Sequence, residues 1–182
     1  MTATEYTPEY VILVDEEDNE MGLAEKLAAH EQNLLHRAFS IFIFRKMPHL
    51  ELLLQQRAAH KYHSPGLWTN TCCSHPRVGE TIIAAGERRL QEELGLITPL
   101  THIGWFHYNA HFSNGLSENE IDHVLVGSLP ADIDIISNPE EVQAYRWVTP
   151  ENLYQELAAY PAQFTPWLEQ ALAIALKFQG KF

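Results

Sequence analysis

Two strand-like runs, Arg37 to Lys46 (RAFSIFIFRK) and Leu50 to Arg57 (LELLLQQR), are joined by a turn at Met47-Pro48-His49. Any fold for this chain must pack that adjoining pair. The rest of the sequence offers both strands and helices for the purpose. Tyr10 to Val14 (YVILV) reads as a buried strand, and more are expected at roughly Leu100 to Phe112, Ile121 to Leu129 and Val142 to Val148. The strongest helical pattern is Glu80 to Leu94, with apolar Ile82, Ile83, Leu90 and Leu94, and Gly95 standing where a helix ends. GLAEKLAAHEQ (22–32) has helical composition, Pro150 opens another helix, and Phe164 to Phe178 reads as the last. Strands and helices mix without strict alternation, which favours an α+β sandwich over a doubly wound parallel sheet. DEEDNE (15–20) reads as a solvated acidic turn, since it lacks the glycine and final glutamate of an EF-hand loop. HSPGLW (63–68) reads as a loop and TNTCCSH (69–75) as a short extended segment.

Length and composition narrow the class. At 182 residues the chain reads as one domain, residues 1–182, able to bury a core without staples. With 46% hydrophobic and 20% charged residues it has the balance of a soluble globule. It has no long apolar run, so no membrane span is expected. MTATEYTPEY lacks the basic region and apolar core of a secretory signal, and the expected location is the cytoplasm. Twenty-four carboxylates against twelve Lys and Arg give a net charge of -12, which argues against a nucleic-acid groove. An acidic protein that binds a phosphorylated small molecule must gather its cations locally or use a metal. Cys72 and Cys73 are the only cysteines. Neighbours in an extended segment face opposite sides, so they are poorly placed to bridge each other.

Several titratable groups form constellations. Glu118 and Glu120 share one face of a strand, where two carboxylates repel unless solvent, a proton or a cation intervenes. The plainer alternative is an exposed loop end after Ser113-Asn114-Gly115. His30, His36 and His75 lie in segments able to converge near one end of a sheet. Together with the two carboxylates they would make a five-donor N/O set suited to Mn²⁺, Fe²⁺, Zn²⁺ or Mg²⁺ and too nitrogen-rich for Ca²⁺. His49, His60, His63, His102, His107, His111 and His123 are equally available. In the helix, Arg88/Glu92 and Arg89/Glu93 are spaced as surface ion pairs, or as a carboxylate cluster holding Mg²⁺ against a diphosphate.

Ser74 to Leu96, SHPRVGETIIAAGERRLQEELGL, resembles the Nudix box, G-x5-E-x7-R-E-U-x-E-E-x-G-U with U aliphatic. Glu80, Arg88, Leu90, Glu92, Glu93, Gly95 and Leu96 fit it. Ser74 replaces the first glycine, and Arg89 replaces the glutamate after the arginine, a member of the hydrolases' metal cluster. That loss counts against pyrophosphate hydrolysis. With AEKLAAH, LLHRAFSIFIF, LLLQQRA, PGLWTNTCCSHP, RRLQEELG, the ENE triplet and PWLEQ, the chain is similar to the type I isopentenyl diphosphate isomerases of the Nudix superfamily. The resemblance covers most of the chain, apart from the first ten residues and the last few.

The resemblance implies a Nudix-like α/β/α sandwich with a mixed sheet and an N-terminal elaboration, acting as monomer or homodimer. It implies a tightly bound divalent metal (Mn²⁺, Mg²⁺ or Zn²⁺) on His30, His36, His75, Glu118 and Glu120. A second ion, Mg²⁺, would arrive with the substrate and be held by Glu93. Lys26, Arg57, Lys61 and Arg89 would grip the diphosphate. Cys73 and Glu120 would transfer protons, with Tyr108 hydrogen bonded beside the glutamate. Nearby cations and the metal would lower the Cys73 pKa. Trp167 would face the reacting carbons, where an indole stabilises a cation by roughly 0.5–2 kcal/mol; packing in the core is the alternative. Trp68, Trp105 and Phe112 are candidates to seal the pocket against water. Cys73 shares a face with His75, and Cys72 turns away, where cysteine packs as a small hydrophobe. The rival readings are a Nudix hydrolase of a nucleoside diphosphate derivative and a non-catalytic metal-binding module.

Overall fold

The computed structural model describes residues 7–46 and 48–181. Met47, in the expected turn, lies outside the described residues. Strands β3 (His36–Lys46) and β4 (Leu50–Arg57) pair antiparallel, but only over Phe44–Lys46 against Leu50–Leu52. Beyond that they splay. The gap is filled by two short strands from the TNTCCSH region. β5 (Trp68–Thr69) runs along β4, and β6 (Cys72–Ser74) pairs with Phe39–Ile41 of β3. Between them the Thr71 hydroxyl accepts from Ile43 N (2.9 Å) and donates to Leu53 O (2.6 Å), standing in for the missing ladder bond. Asn70 Nδ2 donates to Ile41 O and Cys72 O. Thr69, Asn70 and Thr71 are fully buried, and the Thr69 hydroxyl is likewise satisfied, bonded to Asn70 Oδ1 and Thr165 Oγ1 at 2.8 Å each.

On its other edge β3 pairs in parallel with β8 (Ser117–Ser128), from His36↔Glu120 to Phe44↔Ser128. β7 (Thr101–His111) is antiparallel to β8, and β9 (Val142–Val148) to β4. The hairpin of β1 (Tyr10–Val14) and β2 (Glu20–Glu25) joins β3 through Leu13↔His36. Among the described residues the result is a mixed nine-stranded sheet.

Both faces of the sheet are covered. Helix α2 (Ile82–Leu94) packs Leu90 and Leu94 over Phe39, Ile41, Ile43 and Leu125. On the other face α3 (Pro150–Ala159) and α4 (Leu168–Ala175) cover Phe42, Phe44, Leu52, Leu54, Val124 and Val126. β3 therefore has no solvated face, which is why it reads as a nearly unbroken apolar run. Each such buried side chain contributes about 1.5–3 kcal/mol relative to exposure. Thr81 caps α2 by accepting from Ala84 N, and Gly95 ends it at φ 64. A Cβ on Gly86 would lie 2.6 Å from Leu125 Cδ1, so that helix rests directly on the sheet.

Three boundaries differ from expectation. Gly22 to Glu25 belong to β2, leaving α1 as Lys26–Glu31. The last helix is shorter than expected. Phe164 bridges to Trp68 and Thr165 N donates to Trp68 O, because Pro166 biases the residue before it toward extended backbone. β8 starts at Ser117, so the ENE triplet is strand, not loop end. Among the described residues no helix is long and apolar enough to cross a membrane.

Candidate active site

Along the α4-side face of β3 the side chains run Ala38, Ser40, Phe42, Phe44. The two phenylalanines fill the core. The two small residues instead line an inner cavity of about 60 Å³. β6 and β8 flank β3 from opposite edges and supply the walls. Cys73 stands opposite Ser40 on one side, while Glu118, Glu120 and Asp122 alternate along one face of β8 on the other. The three carboxyl-bearing residues are 3%, 8% and 2% exposed. So dense a buried acid cluster requires protons or cations.

Histidines meet it at one end. His30 Nδ1 donates to Lys26 O (2.6 Å) and His36 Nδ1 to Leu34 O (2.8 Å). A carbonyl can only accept, so each Nδ1 carries the proton and each ring aims Nε2 inward. His36 Nε2, His75 Nε2 and Glu120 Oε1 form a triangle with sides of 3.3, 3.3 and 3.1 Å. A six-coordinate ion with bonds of about 2.1–2.2 Å has neighbouring donors about 3 Å apart. His30 completes a four-donor group within 4.8 Å, and its buried Nε2 has no hydrogen-bond partner among the described residues. These residues fit a divalent cation. Glu118 is not within that four-donor group. It clusters with His30 and His63 instead, its Oε1 2.9 Å from His63 Nδ1.

Charge follows from burial and these contacts. Burial pushes His30 down to about 4, and His63 and His75 to about 3. His36 goes the other way: burial opposes protonation, but the hydrogen bond and charge of Glu120 win. Glu120 is correspondingly held ionised against burial by His36 and His75. Burial first, and the Glu120 charge second, raise both Glu118 and Asp122.

The cavity opens to an outer cleft of about 630 Å³, and Lys26, Lys61 and Arg89 line both. Arg57 lies deeper, 8% exposed, its Nη1 3.8 Å from Cys73 Sγ. Each rim cation is held by carboxylates: Lys26 by Glu9 (3.0 Å), Lys61 by Glu141, and Arg89 by Glu93, Glu92 and Glu141. Glu93 is buried and also accepts from Gln55 Nε2 (2.8 Å), so its link to Arg89 is not a surface ion pair.

Cys73 lines the cavity beside His75, while Cys72 is fully buried among the side chains under α2. The two face apart as expected. The lowered thiol pKa is not found: burial pushes Cys73 up to about 12, with Arg57 pulling the other way. Trp167 both packs in the α4-side core and lines the cavity, with Nε1 donating to Asn70 Oδ1 (3.1 Å). Tyr108 lies opposite Glu120 in register, but its buried hydroxyl has no hydrogen-bond partner among the described residues, so the expected bond to Glu120 is absent. Phe112 stacks on His63, and Trp68 packs against the α4-side core. Trp105 is 43% exposed on β7 and seals nothing.

Of the seven other histidines, only His63 lines the cavity. Glu141 and Asp122 were passed over in the sequence, and His63 stood there only as one of seven equally available histidines. Asp122 had a usable signal, because it continues the two-residue alternation of Glu118 and Glu120.

A NUDIX domain profile matches residues 34–168. Isopentenyl-diphosphate Delta-isomerase of Aliivibrio fischeri (strain MJ11) is 48% identical over 164 residues, spanning 87% of this chain and 90% of that protein. The protein of the same name from Photobacterium profundum is 48% identical over 167 residues, 90% of this chain and 92% of its own. Among solved structures, DR0079 from Deinococcus radiodurans superposes with a TM-score of 0.70 at 23% identity, over 91% of this chain and 99% of that one. The MutT protein from Methanosarcina mazei Go1 gives a TM-score of 0.61 at 17% identity, over 81% and 96%. At these identities the likeness is one of fold, and it matches the α+β sandwich seen here. The chain belongs to the NUDIX family, and within it to the isopentenyl-diphosphate Delta-isomerases.

Proposed function

We propose that this protein, a cytoplasmic enzyme of one domain, interconverts isopentenyl diphosphate and dimethylallyl diphosphate. The observation that carries this reading is the polarity of the cavity. Cations stand at the rim shared with the outer cleft, and Cys73, Glu120 and Trp167 line the small chamber behind them. A short amphiphile enters one way only, with its diphosphate on Lys26, Lys61 and Arg89 and its five-carbon tail inside. Arg57 reaches the diphosphate from the cavity wall.

The reaction adds a proton to the terminal CH₂ and removes one from the carbon next to the oxygen-bearing one. The tertiary carbon is positive in between. One group must begin protonated and the other ionised. Cys73 as thiol and Glu120 as carboxylate supply that asymmetry, and they exchange roles in the reverse direction. Their strands lie two sheet spacings apart, about 9–10 Å, which leaves room for a planar tail between the side chains. Trp167 offers its ring to the cation, and with the diphosphate seated in its mouth the chamber would exclude the water that traps the cation as an alcohol. Tyr108 flanks Glu120 from the neighbouring strand.

His30, His36, His75, Glu118 and Glu120 would hold a divalent ion (Mn²⁺, Mg²⁺ or Zn²⁺), and Glu93 a Mg²⁺ that comes with the diphosphate. When bound, these ions fix Glu120 and neutralise phosphate charge. Incubation with isopentenyl diphosphate should yield an acid-labile allylic product. Phosphate release from nucleoside diphosphate derivatives without isomerisation would favour the hydrolase reading. Metal uptake without any turnover would favour the non-catalytic one.

A further inference from the structure

His63 is brought to the cavity by a tight loop. Ser64 and Gly66 take positive φ values of 47° and 70°, and Arg57 Nη2 donates to the His63 carbonyl (3.3 Å). A serine in the left-handed region carries a backbone cost, which the loop sustains next to this residue. The ring is 9% exposed and stacks between His30 (5.6 Å) and Phe112 (5.9 Å). Its Nδ1 reaches to 2.9 Å from Glu118 Oε1, although the two are not in line for a full hydrogen bond. Glu118 is 3% exposed, and its other oxygen, Oε2, is buried without a partner among the described residues. A carboxylate has two oxygens. With one turned to an imidazole, the other is left without a partner, and Glu118 clusters with His30, whose Nε2 is equally unpartnered.

We propose that His63 is a positioning residue: it holds Glu118 by Oε1 so that Oε2 faces the ion surrounded by His30, His36, His75 and Glu120. The inference rests on the metal site of the proposed function. Partners behind a metal ligand fix its orientation, and losing one typically weakens metal binding by about 10–100-fold.

Mn²⁺ affinity, measured by chelator competition, tests this in the full-length protein. His63→Leu should bind Mn²⁺ about 10–100-fold more weakly. His63→Asn, which keeps an N–H near the Nδ1 position, should recover most of the loss. At saturating Mn²⁺, His63→Leu should lower kcat while leaving KM for isopentenyl diphosphate unchanged, because the diphosphate grips are elsewhere. Melting curves in chelator establish that each variant folds. Parental Mn²⁺ affinity in His63→Leu would overturn the proposal. So would His63→Asn failing as badly as His63→Leu, since the ring itself would then be required. His36→Ala is the control: if it keeps Mn²⁺, the metal site itself is wrong, and this inference falls with it.

Discussion

Replacing the two cysteines one at a time separates chemistry from packing. Cys73→Ala removes one sulfur from the wall of an existing cavity, so little core contact is lost and the structural cost should stay below about 1 kcal/mol. A positioned proton-transfer group contributes roughly 10²–10⁴-fold, or about 2.7–5.4 kcal/mol of barrier. Turnover should fall by that factor with the melting temperature nearly unchanged. Cys72 has the opposite profile. It is fully buried beneath α2, and Cys72→Ala leaves a one-atom void costing about 1–2 kcal/mol. That corresponds to a drop of roughly 2–8 °C in Tm for a chain of this size, with activity within a few-fold of the parent. Cys72→Val, which refills the void, should recover part of the Tm. Allylic product from isopentenyl diphosphate, melting curves and the site of alkylation form the assay. An alkylating agent should inactivate by labelling Cys73, slowly near neutral pH because burial keeps it a thiol and faster as pH rises, with substrate protecting. Normal turnover in Cys73→Ala together with a dead Cys72→Ala would refute the facing argument and the catalytic assignment at once.

Glu93→Gln should raise the Mg²⁺ requirement and cut turnover, read by activity titration against Mg²⁺. If Glu93 serves only as the buried partner of Arg89 and Gln55, stability falls by about 1.5–3 kcal/mol, since Glu92 and Glu141 still pair Arg89, and the Mg²⁺ dependence does not move. Product formed in D₂O should carry solvent deuterium in its new methyl group; product without deuterium would replace the Cys73–Glu120 pair with an internal hydrogen shift. Metal-free protein should lose stability on acidification. His30, His63 and His75 are held neutral by burial, so below about pH 6.5 the unfolded chain binds protons that the folded one refuses. The loss is about 2 kcal/mol per histidine at pH 5, opposed by His36, Glu118 and Asp122, whose proton affinity is raised. Urea midpoints that match at pH 7 and pH 5 would contradict it.

The sequence made elements legible where local pattern and burial agreed. The run of β3 is apolar because both its faces are covered, and α2 carries its own cap and stop. The alternation of Glu118 and Glu120 announced a shared face. What stayed hidden depends on contacts between distant segments. No local signal shows β3 and β4 parting after three residue pairs, because the bonds that hold them apart come from Thr71 and Asn70. His63 looked like any other loop histidine, since its role depends on a turn at Ser64 folding it toward β8. Burial outweighing the Arg57 charge at Cys73 likewise needs the enclosing walls.

The parallel pairing of β3 with β8 has a consequence for length variation. Glu118, Glu120 and Asp122 face the cavity, while Val124 and Val126 continue the same face into the α4-side core. One residue inserted within β8 would invert every side chain beyond it, sending carboxylates toward one apolar layer or valines away from the other. Insertion or deletion inside Ser117–Ser128 therefore damages site and scaffold together, whereas the turn between Phe112 and Leu116 and the connection 129–141 lie outside that ladder. Single-alanine insertions walked along this region should give folded, soluble protein on either side of β8 and insoluble protein within it.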